Sequence, residues 1–214
     1  MTATTAPVRP GRPKSEQKGE AILHAAGELF LSAGYQGTSM DAVAQRAGVS
    51  KQTVYSHFAN KEELFKACIR GKVTGYGFDE TTADGAVDLR GALLSIARQF
   101  VDLMFDPEVI AMHRVVMAEA ASQPRIAELF FDSGPRRTKA SVCAFLQQQV
   151  EAGKLQIPPD RVLYAAVQLL NTAVGMYQMS LWLGLLHSVD ADEVNAHLDR
   201  VVDDFLVLYA GGSA

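Results

Sequence analysis

Hydrogen-bond donors crowd one short stretch of the chain, AGVSKQTVYSHFANKEEL, residues 47–64. Seven of the eight residues between Val49 and Phe58 carry a side-chain donor, and Val54 is the exception. Lysine suits guanine, glutamine suits adenine, and threonine suits either base or a thymine methyl group, so this row has the chemistry to read base edges. The alternative interpretation is the solvated face of a small helical domain.

Three capping residues divide this part of the chain into short helices. Thr38, Ser50 and Asn60 each precede a helical pattern, and Gly48 separates the first two helices. Ser, Thr and Asn are favoured N-caps, and glycine readily adopts the positive φ that ends a helix. This order is typical of a helix–turn–helix, whose second helix enters the DNA major groove. The predicted base-reading residues are Lys51, Gln52 and Thr53, and the predicted phosphate contacts are Thr38, Ser50, Tyr55, His57 and Lys61.

The segment from Thr38 to Phe65 resembles the DNA-binding domain of the tetracycline-repressor (TetR/AcrR) family. The resemblance covers roughly residues 15–70, and Val43 and Val54 are conservative departures from the commoner Ile or Leu. The residues that carry it are Ala44, Ala47, Gly48, Val49, Ser50, Tyr55, Phe58, Lys61, Glu63 and Leu64. The resemblance implies that residues 50–57 form the recognition helix.

Charge is distributed unevenly along the 214 residues. Residues 1–72 contain ten Lys or Arg against six Asp or Glu, whereas the remainder contains ten against eighteen, within a net charge of −4. A basic first third favours a polyanionic partner. The sequence GRPK at residues 11–14 predicts an extended arm whose Arg12 and Lys14 add minor-groove or phosphate contacts. A solvated tail is the equally supported alternative.

Length and composition predict a soluble cytoplasmic protein made of a small domain joined to a larger one. No apolar run approaches the roughly 18 residues that a membrane span requires, and the N-terminus lacks the apolar core of a secretory signal. Cys68 and Cys143 are interpreted as reduced, buried thiols. The predicted units are a flexible basic arm at 1–14, a DNA-binding domain at 15–72, and a ligand-binding and dimerisation domain at 73–214.

Helical periodicity continues through the larger unit, and no segment shows the alternation of a β-strand. We therefore predict an all-α fold. A loop is expected at 75–86, and Pro and Gly residues separate the helical segments. The predicted helices cover residues 87–105, 107–121, 124–132, 135–152, 159–187 and 191–209.

A dimerisation surface is expected at the C-terminal end, because a single DNA-binding domain covers too few base pairs for useful specificity. The segment 159–187 is apolar on several sides, and the last helix offers a second apolar stripe. By resemblance, two such helices per subunit form a four-helix interface, and the alternative is burial within a monomer. The predicted interface residues are Leu163, Val167, Leu170, Val174, Leu181, Val201, Phe205 and Leu208.

An effector pocket is implied by a second, less specific resemblance, that of residues 113–155 to the AefR-like C-terminal type of the same family. Met and aromatic side chains make an adaptable pocket wall, and polar groups orient a ligand. The alternative is that these side chains are ordinary core. The predicted lining residues are Phe100, Met104, His113, Met117, Phe145, Asn171, Met176, Gln178 and Trp182.

The sequence contains no spacing of His, Cys or carboxylates typical of a metal site, and no phosphate loop or nucleophile elbow. We therefore expect no metal, no cofactor and no enzymatic activity. The predicted function is a homodimeric repressor that binds a palindromic operator and is released by a small apolar or aromatic effector. The alternatives are an activator, a partner-controlled regulator, or a helical carrier or enzyme with a vestigial head.

Overall fold

A computed structural model describes residues 14–78 and 88–210, and these residues are helical with no β-strand. The predicted all-α fold is confirmed. Arg12 and most of the predicted loop lie outside the described residues. The helices are α1 Lys14–Gly37, α2 Met40–Arg46, α3 Lys51–His57, α4 Lys61–Gly75, α5 Leu89–Phe105, α6 Pro107–Ala120, α7 Pro124–Ser133, α8 Pro135–Glu151, α9 Val162–Val174, α10 Gln178–Trp182 and α11 Ala191–Tyr209.

Side-chain caps begin the short helices of the head, α1–α4. Ser50 Oγ accepts a hydrogen bond from the Thr53 backbone N–H at 3.1 Å, and Asn60 Oδ1 accepts one from Glu63 at 2.9 Å. Each cap satisfies one of the backbone donors that a helix leaves unpaired at its N-terminus. Gly48 between α2 and α3 has φ of 65°, so the turn falls where the sequence predicts it.

The cap of α2 differs from the prediction. Ser39, not Thr38, caps this helix, with its Oγ accepting from the Ala42 N–H at 3.1 Å. Thr38 is buried, and its hydroxyl donates to the Gly34 carbonyl at 2.7 Å. This hydroxyl is held inside the turn, and the phosphate contact predicted for Thr38 stays a prediction.

Two apolar cores meet at α6. The first lies within the body, α5–α11, and includes Val109 and Ile110. The second fills the head around Phe30 and also includes Met112 and Val116, which lie further along α6. Val109, Met112 and Val116 follow at spacings of three and four, so one stripe of α6 contacts the body core near its start and the head core further along. The head is therefore packed against the body through this helix, and α4 continues past the predicted boundary at residue 72.

The predicted helix 159–187 is interrupted. A 3₁₀ turn occupies Pro159–Arg161, α9 ends at Val174, and the turn 175–177 precedes the short α10. Tyr177 at this turn is buried, and its hydroxyl donates to Glu193 of α11 at 2.9 Å. The Arg114 guanidinium donates to the carbonyls of Leu181 and Trp182, which ends α10. Because these contacts are tertiary, the apolar periodicity gives no sign of the break.

Candidate nucleic-acid interface and internal cavity

The outer face of α3 presents polar side chains from a helix that is anchored by apolar ones. Val54 is fully buried in the head core, and Val49 and Phe58 pack partly buried against it. On the opposite face, three predicted DNA contacts are exposed, namely Lys51, Gln52 and Tyr55. Ser56 is also exposed on this face but is not among the DNA contacts predicted from the sequence. It follows Gln52 by one helical turn, and that spacing could have identified it.

Two predicted base readers already have partners within the head. The Lys51 ammonium binds the Asp41 carboxylate, and the two side chains are 66% and 57% exposed. A bridge this exposed contributes little to stability, so Lys51 is available to a DNA ligand at small cost. The Thr53 hydroxyl lies 2.9 Å from Ser50 Oγ, which keeps both groups next to the first turn of α3.

Lys61 has a structural role beside its predicted phosphate contact. Its Nζ donates to the carbonyls of Tyr35 and Thr38 at 2.9 and 3.1 Å and lies 4.4 Å from the centre of the Tyr35 ring. An ammonium has three donors, so one remains for a phosphate. His57 is half-buried beside Phe58, and their ring centres are 6.2 Å apart. Lys14 is the first residue of α1.

The head is bonded to the end of α6 at a break in α1. Gly34 has φ of 74° and ψ of 176°, a conformation that L side chains rarely adopt. The break leaves the backbone N–H groups of Tyr35 and Gln36 without helical partners, and the Glu119 carboxylate accepts both, at 2.9 and 3.2 Å. A Cβ on Gly34 would lie 2.1 Å from Glu119 Oε1. A glycine at position 34 therefore allows both the break in α1 and the close approach of the Glu119 side chain.

The beginning of α6 is bonded to the end of α4. Asp106 caps α6 and also accepts from Lys72 Nζ at 3.1 Å and from the Tyr76 hydroxyl at 2.7 Å. Burial, followed by the hydrogen bond to Asp106, raises the pKa of Tyr76 to about 12. Burial alone would raise the pKa of Asp106, but the bonds from Tyr76 and Lys72 lower it overall. Both ends of α6 are thus held by helices of the head.

A cavity of about 640 Å³ lies alongside α6 and is bordered by helices of both head and body. This volume is typical of small-molecule sites. Six of the predicted residues line it, namely Phe100, Met104, His113, Asn171, Gln178 and Trp182. Three predicted residues do not. Met117 and Met176 are 52% and 69% exposed, and Phe145 is buried in the body core outside the cavity wall.

The head contributes part of the cavity wall, which the sequence did not predict. Leu23, Gly27 and Leu31 of α1 line the cavity, as do Cys68 and Gly71 of α4. Burial raises the pKa of the Cys68 thiol to about 12, so this residue stays protonated at neutral pH. Any molecule that fills the cavity would contact the head directly.

Aromatic rings surround His113, one of the polar side chains that line the cavity. The His113 ring is stacked on Trp182 at 5.1 Å and meets Phe130 edge-on at 4.9 Å. Its Nδ1 lies 2.8 Å from the Val109 carbonyl oxygen, which only accepts, so Nδ1 carries the hydrogen. Burial lowers the pKa of His113, although the bond to Val109 opposes this. The ring is therefore neutral at pH 7, with a lone pair on Nε2.

Most of the exposed large apolar side chains of the body lie between the start of α9 and the end of α11. The exposed large apolar side chains there are Leu163, Tyr164, Met176, Met179, Leu183, Leu185, Leu186, Val207 and Leu208. Only Leu163 and Leu208 were predicted as dimer contacts, and Val167 is half-buried at the cavity. The other predicted contacts, Leu170, Val174, Leu181, Val201 and Phe205, are at most 5% exposed within one chain. These five side chains fill the protomer's own core and leave a partner little surface to contact.

The short capped helices, the polar outer face of α3 and the all-helical body define a helix–turn–helix transcription regulator. Residues 22–68 match the family of bacterial regulatory proteins of the tetR type. Residues 91–211 match the AefR-like transcriptional repressor C-terminal domain. The chain belongs to the TetR family and is a DNA-binding transcription regulator.

Similar proteins match most of the chain. The transcriptional activator FasR of Mycolicibacterium smegmatis is 38% identical over 195 residues, which cover 82% of this chain and 85% of that protein. The flavonoid-responsive regulator FrrA has a similar structure, with a TM-score of 0.74, 29% identity, and coverage of 92% of this chain and 100% of that one. A TetR family regulator from Pseudomonas syringae pv. tomato DC3000 is also similar, with a TM-score of 0.67 and 27% identity. The match covers 91% of this chain and 97% of that one.

None of the helices in residues 14–78 and 88–210 is long and apolar enough to cross a membrane. In the same ranges, no group of three or more His, Cys, Asp or Glu side chains is arranged to hold a metal ion.

Proposed function

We propose that this protein is a cytoplasmic, homodimeric repressor that binds a palindromic operator through α2 and α3. In this proposal a small effector fills the cavity and releases the operator. The observation that carries it is the shared cavity, because one bound molecule would contact α1 and α4 of the head as well as α6 of the body. An effector changes operator affinity only if it binds one head position better than the other.

The bonds at both ends of α6 supply a physical route for this change. Glu119 holds the break in α1, and Asp106 holds the end of α4 through Lys72 and Tyr76. A molecule that displaces α6 by pressing on His113 therefore acts on both head helices at once. The two recognition helices of a dimer must keep a fixed spacing to match two half-sites, so a small rotation of each head weakens binding.

FrrA is described as responsive to flavonoids, which are flat aromatic molecules. The cavity of this protein has three stacked or edge-on rings in its wall, and this supports an aromatic effector. To test the proposal, operator fragments are selected from genomic DNA with the purified protein, and affinity is measured by fluorescence anisotropy with and without aromatic compounds. We expect nanomolar specific binding that at least one cavity ligand weakens. Ligands that bind the cavity tightly without changing operator affinity would exclude this mechanism, and failure to select any fragment would favour a carrier or an enzyme.

Dimerisation is proposed through the exposed apolar residues of α9–α11. Leu208 on α11 is 59% exposed, and its replacement by Asp places a charge in the proposed interface. Light scattering after size exclusion should give the dimer mass for the unmodified protein and the monomer mass for Leu208→Asp. Met117→Asp is the matched control, because Met117 is 52% exposed on α6 outside this surface. A dimer that survives Leu208→Asp would refute this interface.

Activation is a second candidate function, favoured by the description of FasR as an activator. The same DNA contacts serve either outcome, because the position of an operator relative to a promoter decides whether bound protein blocks or assists transcription. A reporter driven by the selected promoter distinguishes them. Deleting the gene for this protein raises expression if it represses and lowers expression if it activates.

A further inference from the structure

His113 and Trp182 form a stacked pair of rings, and both residues line the cavity. The Trp182 indole N–H is buried and has no hydrogen-bond acceptor among the described residues. His113 Nδ1 is engaged with the Val109 carbonyl, so Nε2 can only accept a hydrogen bond in the neutral ring. These two neighbouring rings of cavity-lining residues therefore carry one unpaired donor and one acceptor.

Buried donors in folded proteins nearly always have an acceptor, and one left unpaired is destabilising. The protein tolerates this at Trp182, a residue of the five-residue helix α10 that lines the cavity. A ligand that supplies the missing acceptor gains a hydrogen bond without displacing one that the protein already makes. This favours a ligand with a polar atom over one that is wholly apolar.

We propose that the effector is a hydroxylated aromatic molecule of the phenol class, whose hydroxyl donates to His113 Nε2 and accepts from the Trp182 N–H. A hydroxyl both donates and accepts, which matches the two ring atoms. A carboxylate accepts from Trp182 but faces the lone pair of His113 and has no hydrogen to donate. A methyl ether accepts only. This assignment rests on the proposed function, since it names the ligand of the same cavity.

The position of His113 also connects such a ligand to the DNA-binding head. His113 and Glu119 lie on the same helix, α6, six residues and therefore about 9 Å apart along its axis. Glu119 holds the break in α1 through Tyr35 and Gln36. A hydroxyl bonded to His113 thus acts on α6, and the C-terminal end of α6 is bonded to the head through Glu119.

The first test uses the unmodified full-length protein and a matched set of two-ring probes. Isothermal titration calorimetry at pH 7.5 compares 2-naphthol with 2-methylnaphthalene, 2-methoxynaphthalene and 2-naphthoate. We expect 2-naphthol to bind at least ten-fold more tightly than the methyl compound, with the methyl ether between them. Equal affinities for the naphthol and methyl compounds would overturn the proposal, and so would tighter binding of the naphthoate or no binding of the naphthol.

Two variants then test which ring atoms carry the preference. His113→Phe and Trp182→Phe keep an aromatic ring but remove the acceptor or the donor, and each should reduce the preference for 2-naphthol over 2-methylnaphthalene about ten-fold. Ser95→Ala is the control, because it removes a hydroxyl from an exposed residue of α5 outside the cavity. An unchanged preference in both cavity variants would overturn the assignment to these rings. If a variant does not fold, the comparison of probes on the unmodified protein still tests the proposal.

Operator binding without ligand is measured on the same preparations. Specific DNA binding combined with no preference for the hydroxyl rejects the phenol assignment and leaves the regulator intact. The opposite result, a clear hydroxyl preference without specific DNA binding, rejects the proposed function and leaves the ligand class.

Discussion

The head and the body of this protein place their polar side chains in opposite ways. The head carries Lys51, Gln52 and Tyr55 outward on a seven-residue helix, whose cap bond spans only three residues. The body encloses His113 and Trp182, which come from helices far apart in the chain. Substitutions on the outer face of α3 should therefore change DNA affinity without changing stability. Substitutions at the cavity and at the bonds of α6 should change stability or the coupling between the two regions.

The largest expected effect is on the contact that joins the two regions. Gly34→Ala should lower the free energy of unfolding by about 3 kcal/mol, because a Cβ is strained at φ of 74° and collides with Glu119. Thermal or urea unfolding followed by circular dichroism measures this change.

Gly27→Ala is the matched control for Gly34→Ala. Gly27 lies in the same helix, and a Cβ there would meet no atom within 4 Å. Replacing a helical glycine by alanine should raise stability by about 0.5–1 kcal/mol. If both variants were equally stable, the break in α1 would not be a constrained joint between head and body.

The next effect belongs to the head alone. Gln52→Ala removes an exposed amide from α3, and it should weaken specific operator binding by about 1–3 kcal/mol, or about 5- to 150-fold in Kd. The melting temperature should stay the same, because Gln52 packs against no core residue. Gln148→Ala on the exposed face of α8 is the control. Equal loss of affinity for specific and random DNA would show that Gln52 does not read a base.

Local chemistry explains why the head was predictable from the sequence. Ser50, Asn60 and Gly48 act on backbone groups within a few residues of themselves, so their roles follow from type and spacing. The misassigned cap shows the limit of this reasoning, because Thr38 and Ser39 are both good caps. Only the carbonyl of Gly34, which binds the Thr38 hydroxyl, decides between them.

Tertiary contacts explain why the body was predicted less well. An apolar stripe indicates that a helix is buried, but not whether the covering atoms belong to the same chain or to a partner. Leu170 and Phe205 were therefore assigned to an interface although they fill their own core. In the same way, His113 and Met117 share a helix face, yet only His113 lines the cavity. The share of the wall made by α1 has no local signal.

A smaller effect tests the coupling between the two regions. Glu119→Gln keeps the shape of the side chain but replaces the carboxylate that accepts from Tyr35 and Gln36. The weaker bonds should lower stability by about 1 kcal/mol and reduce the effect of a cavity ligand on operator affinity. Anisotropy titrations with and without ligand measure this coupling. Glu151→Gln at the exposed end of α8 is the control, and an undiminished ligand effect in Glu119→Gln would remove Glu119 from the route.

The smallest effect is a pH dependence that arises in the body. Because burial lowers the pKa of His113 in the folded state, the unfolded chain binds its proton more readily, starting near pH 6.5. The contribution of the neutral ring to stability is therefore complete above that pH and is lost as pH falls towards the folded-state pKa. Unfolding measured at pH 7.5 and 5.5 should show a smaller loss for His113→Phe than for the unmodified protein. Equal losses in the two proteins would mean that the cavity does not hold His113 neutral.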